Sequence, residues 1–240
     1  VVSLGADFGN PFSACSGALI TPRVVLTAAH CGADLPTALI VAVGQAFLGP
    51  DLAHIEQQYG FTDYIGHEDY VPLGDQPGDR PANDVGVGIL DGDADAIPYF
   101  FNTTELTRDD EDTELFSVGF GITGANADDG GIKRSAVVTL TGLDDDFIIS
   151  ANNTNPNDAN ICSGDSGGPM FHVEDDGRSV VWAVHSWGDQ GCVQLSGSTR
   201  TDLMAEWILD RVEDEHGSRD LCEINGYYEN GTCDAFCEDD

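Results

Sequence analysis

Positive charge is what this sequence most lacks. Lysine and arginine together number 9 against 43 aspartates and glutamates, a formal net charge of −34 over 240 residues, and Lys133 is the single lysine. Binding nucleic acid needs a basic face to displace phosphate counterions, so that class of partner is excluded. No apolar run reaches the ~18 residues of a membrane-spanning helix. No secretory leader is visible, so any targeting segment has been removed or lies outside this chain. Internal repeats are lacking as well. The acids are spread over many loops (109–112, 128–129, 144–146, 174–176, 213–215) rather than gathered at one site. That scatter fits a solvated, salt-tolerant surface better than steering of one cationic substrate.

What is present is more specific. Residues 161–169 read Ile-Cys-Ser-Gly-Asp-Ser-Gly-Gly-Pro, and residues 26–31 read Leu-Thr-Ala-Ala-His-Cys. A serine hydroxyl is a poor nucleophile until a base lies within hydrogen-bond reach and a third group orients that base. Ser166 sits among glycines, which let the backbone turn sharply and present N–H groups. His30 is a candidate base. Asp84, in Asn83-Asp84 ahead of the apolar run Val85–Leu90, is a candidate orienting acid.

Together these strings resemble the trypsin/chymotrypsin family of serine endopeptidases, and the chain order His30, Asp84, Ser166 is the order that family uses. The resemblance covers roughly residues 2–212. It implies that Ser166 attacks the scissile carbonyl, that His30 transfers the proton and that Asp84 fixes the imidazole tautomer. It places the oxyanion hole on the N–H groups of Gly164 and Ser166. Ser186-Trp187-Gly188 resembles the family's substrate-binding strand. Asn160, six residues before the nucleophile, falls at the pocket floor, and Gly197 or Ser198 at its wall, beside Gly188. These residues imply a roomy, polar, uncharged pocket for a large neutral or amphipathic side chain. Asp165 is expected to take the new N-terminal amine on activation. The string Val1-Val2-Ser3-Leu4-Gly5 fits the strand before the first family cysteine better than an activated terminus, so the mature start is expected upstream of Val1.

The implied activity is that of a secreted endopeptidase acting on protein or peptide substrates by acyl-enzyme chemistry, with no cofactor and no metal. A zymogen awaiting an activating protease, or a silent relative used for binding, are the alternatives. Silent relatives usually lose a triad residue, and this chain keeps all three. His54, His67, His172, His185 and His216 lack comparable context and read as structural or surface residues.

Of seven cysteines, the resemblance pairs Cys15 with Cys31 and Cys162 with Cys192, each worth about 3 kcal/mol through loop closure. Two further bridges common in the family have no cysteines here. Such bridges imply an oxidising, extracytoplasmic compartment. Cys222, Cys233 and Cys237 lie in the tail. Their number is odd, and their spacing lacks the C-x-x-C pair of a metal site.

Short apolar runs between Gly, Pro, Asn and Asp clusters read as all-β. Strands are expected at 16–20, 24–27, 39–43, 85–90, 115–120, 135–141, 147–150, 169–173 and 180–185. A helical turn is expected at 28–31 and a helix at 203–215. The family fold implied is two packed six-stranded Greek-key barrels with a C-terminal helix and a short Cys-rich tail. The protease domain spans 1–216, its barrels dividing near 100–113, and a Cys/acid-rich extension spans 217–240.

Overall fold

The computed structural model describes residues 1–33, 36–74, 79–151, 159–228 and 237. Cys233 lies outside the described residues.

The first half of the chain runs β1 (Val2–Asp7), β2 (Pro11–Leu19), β3 (Val24–Thr27), α1 (His30–Ala33), α2 (Thr37–Val43), β4 (Gly44–Leu48), β5 (Gln57–Gly66) and β6 (Gly86–Leu90). Its six strands close into a barrel in the order β1-β2-β3-β6-β5-β4, every pair antiparallel. The second half runs β7 (Phe100–Phe101), β8 (Glu114–Gly119), β9 (Arg134–Leu143), β10 (Phe147–Ala151), β11 (Pro169–Val173), β12 (Ser179–Gly188) and β13 (Leu195–Arg200). Six of these form the ring β11-β8-β9-β10-β13-β12, closed by antiparallel pairing of β11 with β12, while β7 adds to β12 in parallel. Closure leaves few free edges on either barrel, which matters for a chain rich in short strands.

Each barrel has its own core. Leu4, Leu19, Val25, Phe61 and Leu90 fill the first, and Leu115, Leu140, Ile148, Met170 and Ala183 the second. A third cluster lies between them. β3 and β6 are buried along their whole length, and Leu26 and Val87 pack in one cluster with Phe171, Val184 and Ile208. Those two strands read as continuous apolar runs because they have protein on both faces. The seam they line carries the candidate site.

The helix expected at 203–215 is α3 (Thr201–His216), ended by Gly217 in the left-handed conformation at φ 73°. It buries Met204, Trp207, Ile208 and Val212 against the seam. A short α4 (Leu221–Ile224) follows, capped by Asp220. Cys222 is bridged to Cys237, Asn225 Nδ2 donates to the Ile20 carbonyl at 3.2 Å, and the Tyr227 ring lies against that of Phe100. The described part of the tail is therefore docked on the barrels. The expected bridges Cys15–Cys31 and Cys162–Cys192 are both formed.

One expected strand is wrong. Residues 39–43 belong to α2, not to a strand. Pro36 occupies the cap position, where its missing N–H costs nothing, and the Gly44 N–H closes the last turn on the Ile40 carbonyl. Among the helix residues only Ile40 is buried, while Leu39 and Val41 face solvent. The edge of the barrel at this point is taken instead by β4, which pairs with both β1 and β5.

Candidate active site

Each candidate sits at the end of an element on the seam. His30 opens α1, three residues after β3. Asp84 precedes β6. Ser166 lies in the turn before β11. Asn83 adopts φ 51°, a left-handed conformation that asparagine tolerates. Its Nδ2 donates to the Asp69 carbonyl at 3.0 Å. This turn delivers Asp84 inward, where it is 1% exposed.

A buried carboxylate must be compensated by donors, and Asp84 has three on its oxygens. His30 Nδ1 lies 2.7 Å from Oδ2, the His30 main-chain N–H donates to Oδ1 at 2.9 Å, and Ser186 Oγ donates to Oδ2 at 2.5 Å. Thr199 Oγ1 holds the Asp84 carbonyl at 3.0 Å. The imidazole is thus gripped through both its ring and its main chain, and among the described residues Nε2 has no hydrogen-bond partner. The His30 side chain is 30% exposed, so solvent and substrate can reach it.

The Ser166 turn is fixed through main-chain atoms. Ser16 N–H donates to the Ser166 carbonyl at 2.7 Å, and Cys31 Sγ approaches the same oxygen at 3.7 Å. The residue after His30 is therefore in contact with the candidate nucleophile. Gly164 and Gly167 adopt φ 95° and 78°. A Cβ at Gly167 would collide with Thr27 Oγ1 and the Ser16 carbonyl, so this turn requires glycine. The N–H groups of Cys162, Asp165, Gly167 and Gly168 are all bonded within this segment or to the strand beside it. Among the described residues, those of Gly164 and Ser166 have no such partner. Two unspent donors beside a serine hydroxyl are what a developing oxyanion needs.

Asp165 Oδ1 accepts from Gly121 N–H at 2.8 Å and Oδ2 from Cys162 N–H at 2.9 Å. Burial pushes its pKa up, and the two N–H groups with the Arg134 charge offset only part of that. A cavity of about 340 Å³ adjoins it, lined in part by Arg134, Asn160 and Val193.

A second cavity, of about 180 Å³, adjoins Ser166 and is lined by Ile161–Ser163, Ser186–Gln190 and Cys192. Ser186, Trp187 and Gly188 line this cavity, and Gly188 lies across from Ile161. Two candidates fall elsewhere. Asn160 does not line this cavity. Its Oδ1 accepts the Ile161 N–H at 2.9 Å and its Nδ2 turns to Asp189 Oδ1 at 3.3 Å. Gly197 is paired across the sheet with Trp187, and a Cβ there would strike the indole, so it lies beneath that ring rather than on the cavity wall.

Nor is the cavity uncharged, because Asp189 lines it. Burial would raise the Asp189 pKa, but the N–H groups of Leu195, Gln194, Val193 and Gly191 more than offset this and leave it below its ordinary value. The carboxylate folds the 189–195 loop around itself. The sequence signal was a lone aspartate two residues before a glycine, which any turn could carry.

His185 and Ser198 form another hydrogen-bonded pair, at 3.0 Å between Nδ1 and Oγ. The second ring nitrogen lies 2.8 Å from Ser117 Oγ. His185 is fully buried, and that burial pushes its pKa down to about 3. A neutral imidazole bridging two serines inside the second barrel meets no substrate, as expected of a packed histidine.

Two closed antiparallel barrels with a buried aspartate holding a partly exposed histidine, and a glycine-framed serine at their seam, define a serine-hydrolase architecture. The sequence profile of the trypsin family matches residues 2–208. The chain is 30% identical over 245 residues to a lectizyme of Glossina austeni, covering 89% of this chain and 81% of that protein. It is 28% identical over 196 residues to a trypsin of Simulium vittatum, covering 75% and 72% of the two chains. It is 26% identical to the serine proteinase stubble of Drosophila melanogaster, where the match takes 82% of this chain and 27% of that one. The chain belongs to the trypsin family of serine endopeptidases.

Proposed function

We propose that Ser166, His30 and Asp84 form the catalytic triad and hydrolyse peptide bonds of protein substrates through an acyl-enzyme. The observation that carries this reading is Asp84: a buried carboxylate bonded to both Nδ1 and the main-chain N–H of His30. With the Nδ1 proton held by Asp84, Nε2 is the free base. It takes the Ser166 proton as Oγ adds to the scissile carbonyl carbon. Gly164 and Ser166 N–H groups stabilise the oxyanion, and Asp84 stabilises the imidazolium. His30 then returns the proton to the leaving amine, and water repeats the cycle on the acyl group. Among the described residues Ser166 Oγ has no hydrogen bond, and its bond to Nε2 would tighten when substrate excludes water.

The residue before the scissile bond would enter the cavity beside Ser186, Trp187 and Gly188. The Asp189 charge there is already compensated by main-chain donors, which supports a large polar or amphipathic side chain. We assign Asp165 to holding the oxyanion segment, and the adjacent cavity would admit an amine freed by an activating protease. Residues 1–216 would act as the protease domain and 217–240 as an extension docked on it. Three disulfides support an oxidising, extracytoplasmic setting.

The test is Ser166→Ala. It removes the nucleophile but no core contact, so amidase activity and labelling by an active-site phosphonate should vanish while the thermal midpoint stays within about 2 °C. Retained activity would refute the assignment. Labelling that appears only after limited proteolysis would identify the chain as a zymogen.

A further inference from the structure

Arg80 reaches from one barrel to the other. It precedes β6 in the first half of the chain, yet its guanidinium meets the turn between β9 and β10 in the second. There Nη1 donates to Asp144 Oδ2 at 2.5 Å. Its Cζ also sits over the Trp187 indole, 5.0 Å from the ring centroid. Trp187 lines the cavity at Ser166 together with Ser186 and Gly188. Beyond His185, β12 pairs with β13 alone among the described residues, so its edge beside Trp187 is open to an extended chain.

Both partners of Arg80 are held in place without it. Asp144 Oδ1 accepts the N–H groups of Phe147 at 2.7 Å and Asp146 at 3.1 Å, which fixes the carboxylate within its own turn. The indole stands edge-on to Phe147 at 5.9 Å, and Gly197 lies so close that a Cβ there would strike the ring. Arg80 is held less firmly. Its side chain is 45% exposed, and among the described residues its guanidinium makes no other hydrogen bond. An aromatic face beside a carboxylate suits a cation. Burial, with the charges of Asp144 and Asp145, raises the Asp146 pKa, so this turn keeps an excess of negative charge even with Arg80 in place.

We propose that Arg80 is a latch that fills this cation site and closes the acyl side of the cleft, and that a substrate opens it best by placing its own lysine or arginine side chain there. The latch presupposes the catalytic reading of Ser166, His30 and Asp84. An exposed cation–π contact and a surface ion pair together favour the closed form roughly three- to thirty-fold. A substrate that must displace Arg80 loses apparent affinity by about the same factor. A neutral substrate bears that loss in full, whereas a cationic one regains both contacts.

The experiment compares internally quenched peptides with an anilide of a single acyl residue, which ends at the cavity. The peptides carry Arg, Lys, Ala or Glu at each of the three positions ahead of the residue before the scissile bond. The readout is kcat/KM for a peptide divided by that for the anilide, which cancels the fraction of active enzyme. In the unmodified protein, Arg or Lys at one position should raise this ratio roughly ten-fold over Ala, the middle of the range above. Arg80→Ala should raise the ratio of the all-Ala peptide by a similar factor. Asp144→Asn keeps an oxygen for the Phe147 and Asp146 N–H groups, and should cut the preference for Arg over Ala below about three-fold. An all-Ala ratio that stays level or falls in Arg80→Ala, as a plain staple between barrels would give, overturns the latch while anilide cleavage leaves the triad standing. A preference for Glu, as expected if Arg80 itself receives the substrate, overturns it as well. So does a preference for Arg that is equal at all three positions or unchanged in Asp144→Asn, which would come from the acidic surface at large. No cleavage of any substrate by the unmodified protein overturns the catalytic reading and the latch together.

Discussion

His185→Gln would test how the second barrel copes with acid. His185 is fully buried and uncharged, with a pKa pushed down to about 3 by burial, against 6.5 for a free histidine. Below pH 6.5 the unfolded chain takes up a proton at this position and the folded chain does not. Stability therefore falls as pH drops through the window from 6.5 to about 3, and is fully present above it. One proton costs about 1.4 kcal/mol per pH unit, so this residue alone removes several kcal/mol across the window, a large share of a typical net stability. The carboxylates add their own pH dependence, which subtraction of the variant removes. Glutamine can keep the bond to Ser117 Oγ but loses the ring and the bond to Ser198. At pH 8 it should lower stability by about 1–3 kcal/mol. The assay is urea unfolding at half-unit steps from pH 8 to pH 4. Stability of the variant should decline less steeply, by about 1.4 kcal/mol per pH unit between pH 6 and 4, and its activity per folded molecule at pH 8 should match the unmodified protein. Parallel curves would refute the buried-neutral account. Lost activity in a fully folded variant would show that His185 belongs to the reaction.

Ser186→Ala removes one of three donors from the buried Asp84 carboxylate; a hydrogen bond to a charged group is worth about 1.5–3 kcal/mol, so the melting temperature should fall by roughly 3–12 °C, measured by calorimetry. Activity at 20 °C should fall less than about 100-fold, because His30 keeps both its bonds to Asp84. Gly167→Ala forces a side chain into φ 78° and onto Thr27 Oγ1. It should cost more than about 2 kcal/mol and abolish phosphonate labelling, and a variant that labels at the normal rate would contradict the packing described. Sodium chloride should raise the melting temperature, since screening shortens self-repulsion of the acidic surface to about 8–10 Å at physiological ionic strength; a steady fall between low and molar salt would contradict this.

Local strings made the family and the candidate site legible. A serine framed by glycines, a histidine beside a cysteine and an aspartate ahead of an apolar strand each carry meaning within a few residues. The main-chain turns they need are local, and Gly167 shows it: only glycine fits its φ and its contact with Thr27. The buried strands β3 and β6 and the amphipathic α3 were legible for a similar reason, since their patterns match their periods. Thr37–Val43 was not. A short apolar run fits strand or helix equally, and here the choice fell to β4, which took the barrel edge and left α2 outside. The cavity wall was also beyond local reading. Gly197 is turned under Trp187 by cross-strand register, and Asp189 enters the wall because four later N–H groups converge on it. The apolar cavity of about 270 Å³ beside the Cys15–Cys31 bridge has no string of its own. Its lining comes from β1, β2, α1, α2, β4 and β5, segments that meet only when the first barrel closes, because register and closure are set by all six strands at once.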